Sequence, residues 1–213
     1  MELYNLNIND FLQRLSDKSP TPGGGSVAAL NGALGASLSS MVINNTLSKK
    51  QYSRYADLMQ ELLTEIIQIQ NELTINIQRD AEAFASITNA MSLPSNTTEE
   101  KIMRKNIIEK ALKSATMVPF EIMILCTNGL KTTNKTLGKC SSSVLSELAA
   151  VAVEFNAGIK ISFLNVLVNL SSIDDKEFVL DYRTKSQELL AIGDNLYREI
   201  HTHCLKQIIT TNN

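Results

Sequence analysis

Apolar residues recur at helical spacing along most of this chain. The longest such stretch is 53–91, where they step by three, four or seven positions, as one face of a helix requires. Its apolar positions are Leu62, Ile66, Ile69, Leu73, Ile77, Phe84, Ile87 and Met91. No segment alternates apolar and polar residues as a half-buried strand would. The pattern therefore predicts an all-α protein.

Start and stop signals divide the rest of the chain into five further helices. They are predicted at 8–18, from Ser26 to about Leu47, from Thr98 to about Lys131, at 143–170 and at about 176–209. Ser26 is the expected N-cap of the second helix, and Pro119 is expected to kink or split the fourth. The intervening loops fall at 19–25, around Pro94, at about 132–142 and at 171–175. Because no repeat or linker is found, residues 1–213 are predicted to form a single-domain helical bundle of about six long helices.

Two of these helices are expected to be buried at the centre of the bundle. The helix at 26–47 contains many small residues, which let a neighbouring helix approach closely. The helix at 143–170 has only three charged residues, Glu147, Glu154 and Lys160. Both also contain asparagines, which disfavours a membrane-spanning role. We therefore expect a soluble, cytoplasmic protein that has no membrane partner.

Composition narrows the class of protein further. Among 213 residues, 20 Lys and Arg stand against 22 Asp and Glu, and a formal charge of −2 disfavours nucleic acid as a partner. Three cysteines without a Cys-x-x-Cys pair fit free thiols in a reducing compartment. His201 and His203 lie two residues apart and point to different faces of a helix, so no metal site is indicated.

A glycine-rich loop is the first candidate for chemistry. Gly23, Gly24 and Gly25 lead into a helix that begins at Ser26, and they expose several backbone N–H groups. Such groups, together with the helix dipole, favour a carboxylate, a phosphate or a developing oxyanion. The alternative is a flexible turn with a serine cap. The loop is neither a Walker A motif nor a Rossmann turn, because no Gly-Lys-Ser/Thr follows and no strand precedes it.

Two carboxylates are candidates for acid–base chemistry. Asp80 lies between Ile77 and Phe84, on or beside the apolar face of the long helix. A carboxylate in such surroundings is either paired or has a raised pKa, which suits a proton-transfer role. The alternative is a buried structural aspartate bonded to another helix. Glu147 lies in the first turn of the helix at 143–170, where its spacing favours interaction with the helix dipole over a catalytic role.

The remaining candidates are polar residues at helix ends and in buried helices. Lys49 and Lys50 close the second helix, where the dipole favours cations, and they are also placed to hold a substrate carboxylate. Asn165 and Asn169 lie four residues apart in an apolar helix. They either read the hydrogen-bonding edge of a heterocycle or bond to another helix.

Several of these residues lie in segments that resemble the formiminotetrahydrofolate cyclodeaminase family, which also includes methenyltetrahydrofolate cyclohydrolases. The resemblance begins with Pro20-Thr21-Pro22-Gly23-Gly24-Gly25-Ser26-Val27-Ala28-Ala29-Leu30. It continues through Lys49-Lys50-Gln51-Tyr52, Asp80-Ala81-Glu82-Ala83-Phe84 and Ser146-Glu147-Leu148. It ends in Asn165-Val166-Leu167-Val168-Asn169-Leu170 and so spans nearly the whole chain.

This resemblance implies an all-helical, stand-alone domain that forms a homodimer, binds folate near the subunit interface and uses no further cofactor. The cyclodeaminase closes 5-formiminotetrahydrofolate to 5,10-methenyltetrahydrofolate and releases ammonia. The cyclohydrolase opens the methenyl bridge with water and gives 10-formyltetrahydrofolate. The first reaction is favoured here because it names the family. The second reaction, and a folate-binding protein with weakened catalysis, are the alternatives.

The resemblance also suggests roles for the candidate residues. Asp80 is the expected general acid or base, with Glu147 as a second catalytic carboxylate. The Gly23, Gly24, Gly25 and Ser26 backbone would bind a polar part of the folate. Lys49 or Lys50 would hold its glutamate tail, and Asn165 and Asn169 would contact its heterocycle.

Three positions depart from the family pattern. Ser48 stands where a glycine commonly precedes the lysine pair, and Lys139 stands where an asparagine commonly follows a glycine. Glu147 replaces a common aspartate, which moves the carboxylate by about one methylene. These departures are what support the alternative of a weakened enzyme.

Overall fold

Helices make up almost all of residues 2–211, the part of the chain that the computed structural model describes. The six α-helices are α1 (Ile8–Leu15), α2 (Gly24–Leu47), α3 (Ala56–Met91), α4 (Thr98–Asn134), α5 (Leu145–Leu170) and α6 (Lys176–Thr211). Three short 3-10 segments are Leu3–Asn5, Lys50–Tyr55 and Ser142–Val144. Within 2–211 there is no strand. The predicted all-α bundle of six helices is therefore confirmed.

α2, which is rich in small residues, and α5, which has few charged residues, lie at the centre of the bundle as predicted. α2 packs against α3 and α5, and α5 also packs against α4 and α6. A close approach of three helices requires Gly158, because a Cβ there would lie 2.8 Å from the Cys126 Sγ of α4 and 3.0 Å from the Ala28 carbonyl oxygen of α2. The fully buried Phe155 fills the space beside this contact. The central position of α2 and α5 is thus set by small residues at their crossing.

α4 continues through Pro119 without a break, so of the predicted kink or split the split is wrong. A proline inside a helix leaves the carbonyl four residues earlier without its N–H partner, at a cost of about 3 kcal/mol. Here that carbonyl belongs to Ala115, and it accepts a hydrogen bond of 3.2 Å from the Asn169 Nδ2 of α5. A side chain of the neighbouring helix therefore replaces the hydrogen bond that the proline removes.

The start of α2 also differs from the sequence-based expectation. Gly23 is the cap residue, and the helix begins at Gly24, so Ser26 lies inside the first turn. The fully buried Ser26 hydroxyl does not cap its own helix. Its Oγ lies 3.0 Å from the Ile77 carbonyl oxygen and 3.0 Å from the Asp80 Oδ2, both on α3. Ser26 thus ties α2 to α3, and its prediction as an N-cap is wrong because these partners compete for the hydroxyl.

α2 and α5 each carry exposed apolar side chains, and this set is here named the α2–α5 face. It consists of Leu34, Met41, Val153, Leu164 and Val168, whose exposed fractions are 42–68%. By length and hydropathy alone, α2 and residues 142–170 could span a membrane, but 56% and 44% of their most apolar windows are buried inside the bundle. Part of the surface that these two helices expose within residues 2–211 is thus apolar.

Candidate active site

A cleft of about 180 Å³ opens where four helices meet at one end of the bundle. The start of α2, the second half of α3, the middle of α4 and the last turns of α5 all contribute to it. The loop residues Pro20 and Thr21 form one rim, and Phe84 and Ile87 form an apolar wall. The cleft therefore collects residues that are far apart in the sequence.

Asp80 lies against the glycine-rich start of α2. A Cβ added to Gly25 would overlap the Asp80 carboxylate, so only glycine allows this approach. Burial raises the pKa of Asp80, and hydrogen bonds from the Ser26 side chain and backbone oppose that rise to a smaller extent. Because the pKa is raised, the carboxyl group exchanges a proton at a higher pH than an exposed aspartate does. Asp80 therefore has the environment of a proton-transfer group.

The Ser26 hydroxyl can adapt to either protonation state of Asp80. When the carboxylate is ionised, Ser26 donates its single hydrogen across the 3.0 Å contact to the Asp80 Oδ2. When the carboxyl group is protonated, Asp80 donates to the Ser26 Oγ, and Ser26 donates to the Ile77 carbonyl oxygen at 3.0 Å. Neither state leaves the buried hydroxyl without an acceptor.

The two asparagines form the wall opposite Asp80. Asn165 Nδ2 donates to the Ile161 carbonyl oxygen at 2.9 Å, and Asn169 Nδ2 donates to the Ala115 carbonyl oxygen at 3.2 Å. Both side chains line the cleft. No hydrogen-bond donor of residues 2–211 lies within bonding distance of the Oδ1 atom of either asparagine. Asn169 therefore bonds to another helix, which is one of the two alternatives from the sequence, and its contact with a heterocycle stays a prediction.

Lys49, Lys50 and Glu147 lie at the opposite end of α2 from the cleft. The Lys49 Nζ donates to Ser141 Oγ and Ser143 Oγ, each at 2.6 Å, and Lys50 is exposed. Glu147 accepts a hydrogen bond of 2.7 Å from the neighbouring Ser146 hydroxyl. At 1.5 Å per residue, the 23 residues from Ser26 to Lys49 span about 35 Å. Within one chain these residues are not part of the Asp80 cleft, and their roles stay predictions.

Some cleft residues carried no recognisable signal in the sequence. Ala115 and Pro119 reach the cleft only because α4 packs across α5, which no local pattern indicates. Phe84 could have been found, because it lies one helical turn after Asp80 on the same face. Within the described part of the chain, no group of three His, Cys, Asp or Glu side chains is placed to hold a metal ion.

Comparison with known proteins places this arrangement in a class. The family model described as formiminotransferase-cyclodeaminase matches residues 7–188. The methenyltetrahydrofolate cyclohydrolase of Methylorubrum extorquens is 36% identical over 197 residues, which cover 92% of this chain and 95% of the relative. The formimidoyltransferase-cyclodeaminase of Rattus norvegicus is 32% identical over 189 residues, which cover 88% of this chain and 35% of the relative. The chain thus spans about a third of this longer protein.

The fold has a close counterpart among solved structures. The formiminotetrahydrofolate cyclodeaminase of Thermotoga maritima superposes with a TM-score of 0.87 and covers 97% of this chain and 100% of its own, at 24% identity. This likeness shows the fold, and the family model with the two similar proteins places the chain in the class of folate one-carbon enzymes. The chain belongs to the formiminotransferase-cyclodeaminase family, and it is an enzyme of that family.

Proposed function

We propose that this enzyme hydrolyses 5,10-methenyltetrahydrofolate to 10-formyltetrahydrofolate. The relative that matches over 95% of its own length is a cyclohydrolase, which supports this reaction over the cyclodeaminase that the sequence resemblance put first. The observation that carries the proposal is the half-buried Asp80 in the cleft. Its carboxylate is hydrogen-bonded to Ser26 and lies in space that is free only because Gly25 has no Cβ. A water molecule, a folate and one proton-transfer group suffice for the reaction.

The methenyl bridge is a carbon joined to N5 and N10 that shares their positive charge. An ionised Asp80 stabilises that cation and accepts a proton as water adds to the carbon. The resulting tetrahedral carbon carries a hydroxyl group between the two nitrogens. Asp80 then returns a proton to N5 as the carbon–N5 bond breaks, and the hydroxyl proton is released as the formyl group remains on N10. The overall change is addition of water and loss of one proton.

The cleft walls suit the rest of the substrate. The apolar Phe84 and Ile87 can pack against a ring, while the Oδ1 atoms of Asn165 and Asn169 can accept from ring N–H groups. The backbone at Gly23 and Gly24 lies at the start of a helix, where N–H groups stabilise developing negative charge on oxygen. These positions agree with the binding roles that the resemblance suggests for this loop and these asparagines.

Cyclodeamination of 5-formiminotetrahydrofolate is the second candidate. It is favoured by the Thermotoga maritima cyclodeaminase, whose whole chain superposes on this one. In that reaction N10 attacks the formimino carbon, and Asp80 would protonate the nitrogen that leaves as ammonia. Both reactions pass through a tetrahedral carbon beside Asp80, so the same group can serve either reaction.

We also propose that the enzyme is a homodimer formed through the α2–α5 face. Leu34 and Met41 on α2 are seven residues apart, and Val153, Leu164 and Val168 continue the apolar surface on α5. Such a surface on two adjacent helices is typical of a helix–helix interface between subunits. It begins beside the cleft, since the cleft residue Asn165 lies between Leu164 and Val168.

A spectrophotometric assay tests the proposed reaction. Methenyltetrahydrofolate absorbs in the near ultraviolet, whereas 10-formyl and formimino folates absorb far less there. Enzyme-dependent loss of this band without ammonia release supports hydrolysis. Growth of the band from 5-formiminotetrahydrofolate with ammonia release supports cyclodeamination instead. If neither rate exceeds that without enzyme, both proposed reactions fail. If Asp80→Asn is as fast as the wild type, Asp80 is not the proton-transfer group.

A further inference from the structure

Thr21 presents the only side-chain hydroxyl group among the described residues that line the Asp80 cleft. The other polar side chains in the lining are Asp80, Asn165 and Asn169. Asp80 is hydrogen-bonded to Ser26, and each asparagine uses an amide hydrogen for a helix carbonyl oxygen. Within residues 2–211, the half-buried Thr21 makes one hydrogen bond, through its backbone carbonyl oxygen. Its hydroxyl group is therefore available to a molecule in the cleft.

The loop that carries Thr21 is held by several local constraints. Pro20 and Pro22 stand on both sides of Thr21, and each has a fixed φ. The Ser19 hydroxyl donates to the Thr21 carbonyl oxygen at 3.1 Å. The chain also folds back tightly, since a Cβ at Gly23 would lie 3.1 Å from the Pro20 carbonyl oxygen. Because Thr21 is β-branched and has few rotamers, this loop defines the position of its hydroxyl group at the rim of the cleft.

Hydrolysis needs a water molecule whose lone pair points at the bridge carbon. Both hydrogens of that water must then point elsewhere, and Asp80 accepts one of them. A single hydrogen bond leaves the water free to rotate, so a second acceptor is needed to fix its orientation. The apolar wall of Phe84 and Ile87 offers no acceptor, and the asparagine oxygens face ring N–H groups in the proposed complex. The Thr21 oxygen has two lone pairs and is the acceptor that remains.

We propose that the Thr21 hydroxyl group positions the attacking water and thereby favours hydrolysis over cyclodeamination. This inference rests on the proposed function. The water donates one hydrogen to Asp80 and the other to the Thr21 Oγ1. As the oxygen–carbon bond forms, the π electrons of the bridge return to its nitrogens, and the first hydrogen passes to Asp80 as a proton. The second hydrogen stays on the new hydroxyl group of the tetrahedral carbon, still bonded to Thr21.

Cyclodeamination does not use this water. In that reaction N10 of the substrate is itself the nucleophile, so the Thr21 hydroxyl group has no water to hold. A threonine that only supported the loop would affect both reactions alike, and would affect the binding of folate as well. The ratio of the two reactions, and the separation of kcat from KM, therefore distinguish positioning of the water from support of the loop.

The test is Thr21→Val, which replaces the hydroxyl group by a methyl group and keeps the β-branched shape. For 5,10-methenyltetrahydrofolate, kcat should fall about tenfold or more, because a hydrogen bond is lost and the water is no longer held in line. KM should stay at the wild-type value, as should the calorimetric affinity for 5-formyltetrahydrofolate, which is not turned over. Any cyclodeamination of 5-formiminotetrahydrofolate should also be unchanged. Thr21→Ser, which keeps the hydroxyl group, should restore most of the hydrolysis.

Thr184→Val is the matched control, since this threonine is exposed on α6 and should leave every rate unchanged. The acidic limb of the kcat/KM profile should not move in Thr21→Val, because the pKa of Asp80 depends on burial and on Ser26. A Thr21→Val enzyme with wild-type kcat would overturn the inference. So would a loss of kcat accompanied by an equal loss of folate affinity or of cyclodeamination. If the wild type does not hydrolyse 5,10-methenyltetrahydrofolate, the proposed function itself fails.

Discussion

Substitution of Gly25 by alanine gives a sharp test of the Asp80 cleft. The added methyl group would occupy the position of the Asp80 carboxylate, so either the carboxylate rotates away or α2 shifts. Rotation breaks the 3.0 Å contact with the Ser26 hydroxyl. A displacement of about 1 Å in a reacting group costs roughly a hundredfold in rate. We therefore expect kcat to fall about a hundredfold or more in Gly25→Ala.

The accompanying loss of stability should be moderate. Overfilling a packed site costs about 1–3 kcal/mol, and in a chain of this size that lowers Tm by roughly 2–12 °C. In Gly25→Ala/Asp80→Ala the overlap disappears, so the double variant should be more stable than the sum of the single effects by about the same 1–3 kcal/mol. Differential scanning calorimetry of the four proteins measures this coupling.

The neighbouring glycine supplies a matched control. A Cβ at Gly24 would lie 3.6 Å from the Asn165 Nδ2, which is an ordinary contact. Gly24→Ala should therefore keep Tm close to the wild type, and its kcat in the methenyltetrahydrofolate assay should fall less than that of Gly25→Ala. A Gly25→Ala enzyme with near-normal kcat would refute the role given to the Gly25–Asp80 contact. If kcat falls equally in Gly24→Ala and Gly25→Ala, the effect is not specific to the contact between Gly25 and Asp80.

Three further outcomes are expected. Asp80→Asn should lower kcat by about two or more orders of magnitude. The same variant should have a higher Tm at neutral pH, because burial raises the pKa of Asp80 and ionisation of this carboxyl group therefore destabilises the folded wild type. In calorimetry, the difference in Tm between variant and wild type should shrink as the pH falls through the pKa of Asp80. Ser26→Ala removes a hydrogen bond that lowers the pKa of Asp80, so the acidic limb of the kcat/KM profile should move to higher pH; an unchanged limb contradicts this assignment. Leu34→Glu/Leu164→Glu should convert the proposed dimer to monomers in analytical ultracentrifugation, whereas Ile102→Glu, on an exposed part of α4, should not. A monomeric wild type would refute the interface.

Helical periodicity was sufficient to predict the elements of this fold. The apolar spacing through Leu62, Ile66 and Leu73 places α3 within a few residues of its observed bounds, Ala56–Met91. The acidic first turn after Thr98 likewise locates the start of α4. These signals are local, and each reports on a single helix. They are reliable because burial of one face stabilises the helix that carries it.

The errors arise where a residue's partner lies on another helix. Ser26 has the residue type of a cap, but its hydroxyl is engaged by α3. Pro119 has the residue type of a helix breaker, but a side chain of α5 satisfies the carbonyl it frees. Asp80, Asn165 and the glycines are identified as candidates by their residue types and positions. The sequence alone does not show that they line the same cleft. Their separation from Lys49 and Glu147 is visible only once α2 is seen to run between the two groups.

The hydrogen bond from Asn169 to Ala115 links two positions that share no sequence motif. In an unbroken helix the Ala115 carbonyl would also accept an N–H from residue 119, but Pro119 has none, so the amide of Asn169 is the donor that satisfies this carbonyl. Pro119 and Asn169 thus form a linked pair that joins α4 to α5 at the wall of the cleft. Relatives that exchange the proline should exchange the asparagine as well, and covariation of these two positions would trace how the cleft has diverged.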